Sequence, residues 1–256
     1  MSATKAAIED RPSPINCVLV AGGKYHDIDF ARLELLKLLA EEPRFRVRVL
    51  EDYEDTAAIT AADCLISYTC DFVPSLPAQE ALRDWLEAGG RWYALHGTNS
   101  ILRLLKNGLW DSPRAAPLFM ELLGSQFISH PPIAPYRVTV ANADHPLVSG
   151  VEAFETDCEL YHLETHGELE VLLETQCDEP AADFVEGDGA VGTHPVCYIK
   201  QRGAGAVLYL TIGHCRGHYD LRPLMDWWPN VDRGAWKVPV YYELLRRGIR
   251  WLKREL

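Results

Sequence analysis

Nine histidines stand in the 256-residue chain, and four of them follow apolar runs at the points where an open α/β sheet gathers its ligands. His26 comes after VLVAGG through KYHD, His96 ends RWYAL, His130 lies in SHPP, and His214 ends VLYLTIG. Neutral imidazole suits zinc, manganese or iron, and donors on separate strand ends project in different directions, so His26, His96, His130 and His214 are the candidate ligands of one divalent metal. Glu159, in DCELYH, can add an oxygen donor or serve as a general base. Asp27 and Tyr161 are the nearest candidates for proton transfer, although Asp27 can equally cap the helix that follows it. Taken singly, each histidine is more simply a satisfied loop residue; the repeated context is what points to a metal or substrate cluster. His145 and His194 precede prolines in turns and read as structural. His162 and His166 are consistent with one residue reaching the site or with solvated surface, and His218 carries no assignment.

Other chemistries are disfavoured. GGRWYALHGTNS has the form of a strand-to-helix elbow, the device that lifts a nucleophile above a sheet, but the elbow residue is His96 rather than Ser or Cys. Imidazole there can bind a metal or move a proton; it is a poor acyl carrier. Gly22-Gly23 lacks the G-x-G-x-x-G spacing of a dinucleotide site. Seven cysteines cannot all pair within the chain and none is spaced C-x-x-C, so they read as reduced thiols of a cytoplasmic protein. The segment from Met225 to Pro239 gathers Trp227, Trp228 and Trp236 among prolines and charges. That suits a lid over a ring-shaped ligand or a subunit contact in a homodimer or higher homo-oligomer.

These residues need a scaffold, and the pattern supplies one. INCVLVAGG, FRVRVLEDY, CLISYT and RWYAL read as strands. Between them, FARLELLKLLAEE carries Leu33, Leu36 and Leu39 at helical spacing, and LPAQEALRDWLEAGG is a helix closed by Gly89-Gly90. This alternation implies parallel βαβ units in a doubly wound, mostly parallel sheet with helices on both faces. After about residue 125, PYRVTV, LEVLLETQ and HPVCYIKQRGAGAVLYLTIG read as an antiparallel extension, with Gly203-Ala204-Gly205 as the turn of a pair. YYELLRRGIRWLKREL is an amphipathic closing helix with Leu244, Leu245, Ile249 and Leu252 on one side. With no repeat or low-complexity linker, the expectation is one α/β domain over residues 15–256 behind a flexible tail of residues 1–14.

A formal net charge of −12 repels nucleic-acid phosphates and anionic membranes, so neither partner is expected. No stretch approaches the ~18 uninterrupted apolar residues of a membrane span. The expected partner is a small-molecule substrate.

The chain resembles the ThuA-like (trehalose-utilisation) family. The resemblance is carried by VLVAGGKYHD at 18–27, GGRWYALHG at 89–97, LLGSQFISHPP at 122–132, DHPLVSGVEAFE at 144–155, ELYH at 159–162, HPVCYIKQRGAGAVLYLTIGH at 194–214 and GIRWL at 248–252. It implies the flavodoxin-like fold of class I glutamine amidotransferases without their catalytic cysteine, and use of trehalose-like disaccharides through keto-sugar intermediates. Two departures bear on the substrate: Cys158 stands where the family usually carries an acidic residue, and MDWWPNVDRGAWKVP is insertion-like. The leading expectation is a metal-dependent hydrolase, lyase or isomerase acting on a carbohydrate or a similar hydroxylated or carbonyl-bearing molecule. The rivals are a lyase or hydrolase on an aromatic, lignin-type compound at the same site, and a non-catalytic small-ligand binder. Because no cysteine occupies the elbow, mild alkylation should leave activity intact. Complete loss protected by substrate would instead implicate Cys158 or Cys215.

Overall fold

The computed structural model describes residues 13–187 and 191–256, so most of the expected N-terminal tail lies outside the described residues. Strand and helix alternate through β1 (Ile15–Gly23), α1 (Ile28–Leu39), β2 (Phe45–Leu50), α2 (Thr56–Thr60), β3 (Cys64–Cys70), α3 (Leu76–Glu87) and β4 (Arg91–Leu95). A 3-10 turn at His96–Asn99 leads to a short hairpin, β5 (Arg103–Leu104) and β6 (Trp110–Asp111), and then to α4 (Pro117–Leu123). There follow β7 (Ser125–Ser129), β8 (Ala134–Val140), β9 (Phe154–Cys158), β10 (His162–Thr165), β11 (Glu170–Cys177), β12 (Gly192–Arg202) and β13 (Gly205–Leu210). The chain closes through a second 3-10 turn, Gly234–Lys237, and α5 (Pro239–Leu252).

The main sheet runs β2-β1-β3-β4-β13-β12-β11-β8-β9. Its first five strands are parallel, with β13 docking on β4, and from β12 outward the pairing is antiparallel. This is the doubly wound, flavodoxin-like arrangement with an antiparallel extension. β7 leaves it and pairs with β10 in a separate ribbon. β12 and β13 are joined across Ala204, with Arg202 facing Gly205 in the register, as the glycine-flanked turn implies.

The central strands are apolar on both faces because both faces are covered. Cys17, Leu19 and Ala21 of β1 pack in one core with Leu35 of α1 and Leu245 and Ile249 of α5. The alternate residues Val18 and Val20 pack in the other with Leu82 of α3 and Phe119 of α4. In α1 the buried stripe is Ala31, Leu35, Leu38 and Leu39. Leu33, expected on that stripe, is 52% exposed, because a 3.6-residue period carries it round to the solvent side. α5 buries Leu244, Leu245, Ile249 and Leu252 as expected. Its Gly248 lies flat on Tyr93, where a Cβ would fall 2.1 Å from the ring.

The three tryptophans of the 225–239 segment have three different fates. Trp227 is 53% exposed and stacks on His218 at 5.4 Å between ring centres. Trp228 is half-buried, donating from Nε1 to Asp232 at 3.1 Å. Trp236 is not part of a lid: it is buried, packs edge-on against Phe30, Tyr68 and Tyr241, and donates from Nε1 to the Gly213 carbonyl at 2.8 Å. It enters the core because the 3-10 turn at Gly234 folds it back under β13, where its indole N–H finds a carbonyl. Trp236→Ala should therefore cost about 3–5 kcal/mol, as loss of a large core aromatic does. Trp227→Ala should stay within about 0.5 kcal/mol. Thermal unfolding of the two variants separates these values.

Candidate metal centre

Four side chains converge beyond the C-terminal ends of β1, β4 and β13. Each of those strands ends in backbone that ordinary residues avoid: Gly23 and Tyr25 after β1 have φ +109° and +70°, His96 after β4 has +44°, and Gly213 after β13 has +141°. Such turns are costly for a non-glycine residue and persist where the surroundings over-determine them. At His96 the turn throws the imidazole across the sheet end, and at Gly97 a Cβ would fall 2.8 Å from the Thr69 carbonyl oxygen. The elbow form read from GGRWYALHG is thus real, with a histidine at its apex.

Glu159 arrives from the far edge of the sheet. The link between β9 and β10 crosses the end of β13, clasped there by Cys158, whose Sγ accepts from the backbone N–H of Gly213 and His214 at 3.4 Å each. Burial pushes the Cys158 thiol up to about 11, so it acts as a neutral acceptor. A carboxylate at this position would bring a second buried negative charge beside Glu159.

His26, His96, Glu159 and His214 are all buried, and one donor atom from each lies within 4.8 Å of the others. His26 Nε2 and His96 Nε2 stand 2.9 Å apart. Glu159 Oε2 is 3.7 Å from the first and 3.3 Å from the second, and Glu159 Oε1 is 3.0 Å from His214 Nδ1. The Nδ1 atom of His96 is 2.7 Å from the Thr211 carbonyl and that of His26 is 3.3 Å from the Lys24 carbonyl. A carbonyl can only accept, so these contacts favour a proton on Nδ1, most strongly for His96, and leave Nε2 free to serve as a ligand atom. Burial lowers both imidazoles, His26 to about 3, so neither is charged at neutral pH. Both ring nitrogens of His214 face carboxylates, Nδ1 toward Glu159 Oε1 at 3.0 Å and Nε2 toward Asp232 Oδ2 at 3.9 Å.

This set fits a metal. Although burial opposes it, Glu159 and Asp232 raise the His214 imidazole; once that proton is released, three imidazoles and a carboxylate form a nitrogen-and-oxygen donor set common to zinc, manganese and iron. Bonds of ~2.0–2.1 Å to a tetrahedral ion imply ligand atoms roughly 3.3 Å apart, inside the spread of 2.9 to 4.8 Å over which the four donors lie. The carbonyls behind His26 and His96, and Asp232 Oδ2 at 3.9 Å from His214 Nε2, are the outer partners that orient metal-bound imidazoles. Although burial opposes its charge, Glu159 is held well below the ordinary carboxylate range by His214 and His130.

A family model described as ThuA, trehalose utilisation, matches residues 17–227. The chain belongs to the ThuA family. Among solved structures, it is similar to a ThuA-like protein of Parabacteroides merdae, with TM-score 0.67 and 15% identity over 94% of this chain and 90% of that one. A ThuA-like protein of Bacteroides uniformis gives TM-score 0.65 and 18% identity over 94% and 93%. The β-galactosidase of Rahnella sp. R3 shares the fold over 33% of its own length, at TM-score 0.58 and 12% identity, covering 100% of this chain. No curated protein matches in sequence.

The ThuA set differs from the four expected histidines in one member. His130 lies outside it: its Nδ1 is turned to the Pro131 carbonyl at 2.7 Å, which leaves Nε2 facing Glu159 from 3.8 Å on the cavity side. Glu159, given two roles by the sequence, takes the fourth place. Asp27 does not face the cluster. Its Oδ1 accepts from Phe30 N at 3.1 Å as the cap of α1, and its Oδ2 pairs with Arg233 at 2.9 Å. Tyr161 is in place, with its hydroxyl 3.1 Å from His96 Nε2 and its ring stacked on that imidazole. His162 is buried against Ser129 and Cys177, away from the set.

A cavity of about 400 Å³ opens over these groups, within the range of small-molecule sites. It is also lined by Arg216, missed in the sequence although it stands two residues past His214, with a guanidinium nitrogen 3.5 Å from Glu159 Oε1. Trp110, Phe127 and Phe184 line it too, brought in from distant segments with no sequence signal. The His96→Ala, His214→Ala double variant should lose metal binding yet unfold cooperatively, because the two-faced core does not depend on the cluster. Full metal occupancy in that variant would refute the assignment.

Proposed function

We propose that this ThuA protein is a metal-dependent enzyme acting on a small hydroxylated or carbonyl-bearing molecule, in the first place a carbohydrate such as a keto-sugar or disaccharide derivative, by hydrolase, lyase or isomerase chemistry. The observation that carries the reading is the buried cluster itself: one donor atom from each of His26, His96, His214 and Glu159 within 4.8 Å of the others, with His26 Nε2 and His96 Nε2 2.9 Å apart. His26, His96, His214 and Glu159 would hold the ion. A divalent ion supplies Lewis acidity, which polarises a carbonyl or acidifies a hydroxyl, the requirement shared by all three reaction types.

The remaining groups divide the proton work. Burial raises the Tyr161 phenol well above its ordinary value, so it keeps its proton and donates a hydrogen bond at the cavity floor rather than acting as a base. His130, with its ring at 23% exposure and its Nε2 on the cavity side, would exchange a proton with the substrate. Arg216 sets a fixed positive charge beside the carboxylate and favours electron-rich oxygens on the ligand. The family's description as trehalose utilisation supports a sugar substrate.

Metal analysis of the purified protein should find close to one equivalent of zinc, manganese or iron per chain. Chelation should abolish turnover in a screen across sugars and aryl alcohols, and one of the three ions should restore it. Ligand binding without turnover in any metal form would make the protein a binder. Turnover indifferent to chelation would overturn the metal reading.

A further inference from the structure

The walls of the cavity change character with depth. Its floor is buried and holds the polar groups of His26, Glu159, Tyr161 and Ser100, with Cys70 and Phe127 as apolar neighbours. Its mouth is largely apolar and open to water: Leu104, Ile133, Leu224 and Met225 are 43, 38, 44 and 43% exposed, Trp110 and Trp228 stand half-buried beside them, and Asp183 is the exposed charge among them. Single exposed apolar residues need no explanation, whereas several around one opening mark a surface that is covered when in use. The β5–β6 hairpin holds Trp110 there by pairing its backbone with residues 183–185, through Trp110 N to the Asp183 carbonyl and Val185 N to the Trp110 carbonyl at 2.8 Å each.

From this gradient we propose that the substrate is amphipathic: an oxygenated head that reaches the floor, joined to an apolar or aromatic body that covers the mouth. The inference rests on the metal-centre reading above and narrows its substrate class. A free polyol carries hydroxyls on every side and would leave those facing the mouth without partners, at a cost in desolvation. An aromatic or alkyl substituent on the same head removes apolar surface from water on both sides of the contact.

Two small hydroxamates test this without knowledge of the natural head group. Acetohydroxamate and benzohydroxamate share a metal-chelating head and differ in body, so titration calorimetry on zinc-loaded protein reads the contribution of the mouth, once their affinities for free zinc are taken into account. Benzohydroxamate should bind at least tenfold more tightly. That ratio needs roughly 55 Å² of apolar surface covered, well below the ~150 Å² that an aromatic side chain can bury. In the Leu224→Ser, Met225→Ser double variant the advantage should shrink severalfold, with acetohydroxamate affinity and thermal midpoint unchanged. Equal, zinc-dependent binding of the two compounds would overturn the amphipathic substrate and leave the metal centre standing. An advantage untouched in the variant would place the ring elsewhere and overturn it as well. Binding of neither compound to protein that holds zinc would overturn the inference alone, whereas protein that takes up no zinc would remove the metal centre and the inference with it.

Discussion

Three buried imidazoles and a buried carboxylate, with donor atoms within 4.8 Å of one another and two Nε2 atoms 2.9 Å apart, form the constraint on which the upper end of this molecule depends. Gathering so many ligand atoms in a low-dielectric interior is unfavourable without a cation between them, and burial lowers the imidazoles of His26 and His96 rather than letting them take up protons. The backbone holds it all the same. Carbonyls of Lys24 and Thr211 set which nitrogen of each ring is protonated, and left-handed turns at Tyr25 and His96 set where the rings point. Local strain at strand ends is tolerable here because the strands beneath it are buried on both faces.

The carboxylate shows how the antiparallel half of the sheet serves the parallel half. β9 lies at the opposite edge from β2, yet the residues that follow it return over β13, held by Cys158 on two backbone N–H groups and by Trp236 beneath Gly213. Cys158 and Trp236, the one reading as a departure from the family pattern and the other as part of a lid, together position Glu159 and His214. Asp27 behaves similarly: capping α1 and pairing with Arg233 ties the loop after β1 to the segment after β13. These are supporting roles for residue types that often do chemistry.

Burial and polarity are graded through the cavity. Charged and hydrogen-bonding groups concentrate where water is excluded and their interactions are strongest, whereas the mouth is built from side chains that gain by being covered. Arg216 joins the two zones, with its guanidinium near Glu159 and 5.7 Å from the Trp228 ring. The Trp-rich segment and the β5–β6 hairpin shape the mouth.

Much of the scaffold was legible without coordinates, because the signals are local. The alternation of VLV, CLISYT and RWYAL with helical stretches implies a doubly wound sheet, the Gly203–Gly205 turn implies the β12–β13 pair, and histidines at four strand ends imply a crevice. Three of those four, His26, His96 and His214, belong to the cluster. Tertiary structure alone decided that Glu159 rather than His130 completes the set, that Asp27 caps a helix, and that Trp236 is core while Trp227 faces water. The physical reason is the same in each case. Side-chain type and strand-end position follow from a few neighbouring residues, whereas which atom meets which across 70 to 190 residues of chain depends on the crossovers, the turns and the partners that only the packed molecule brings together.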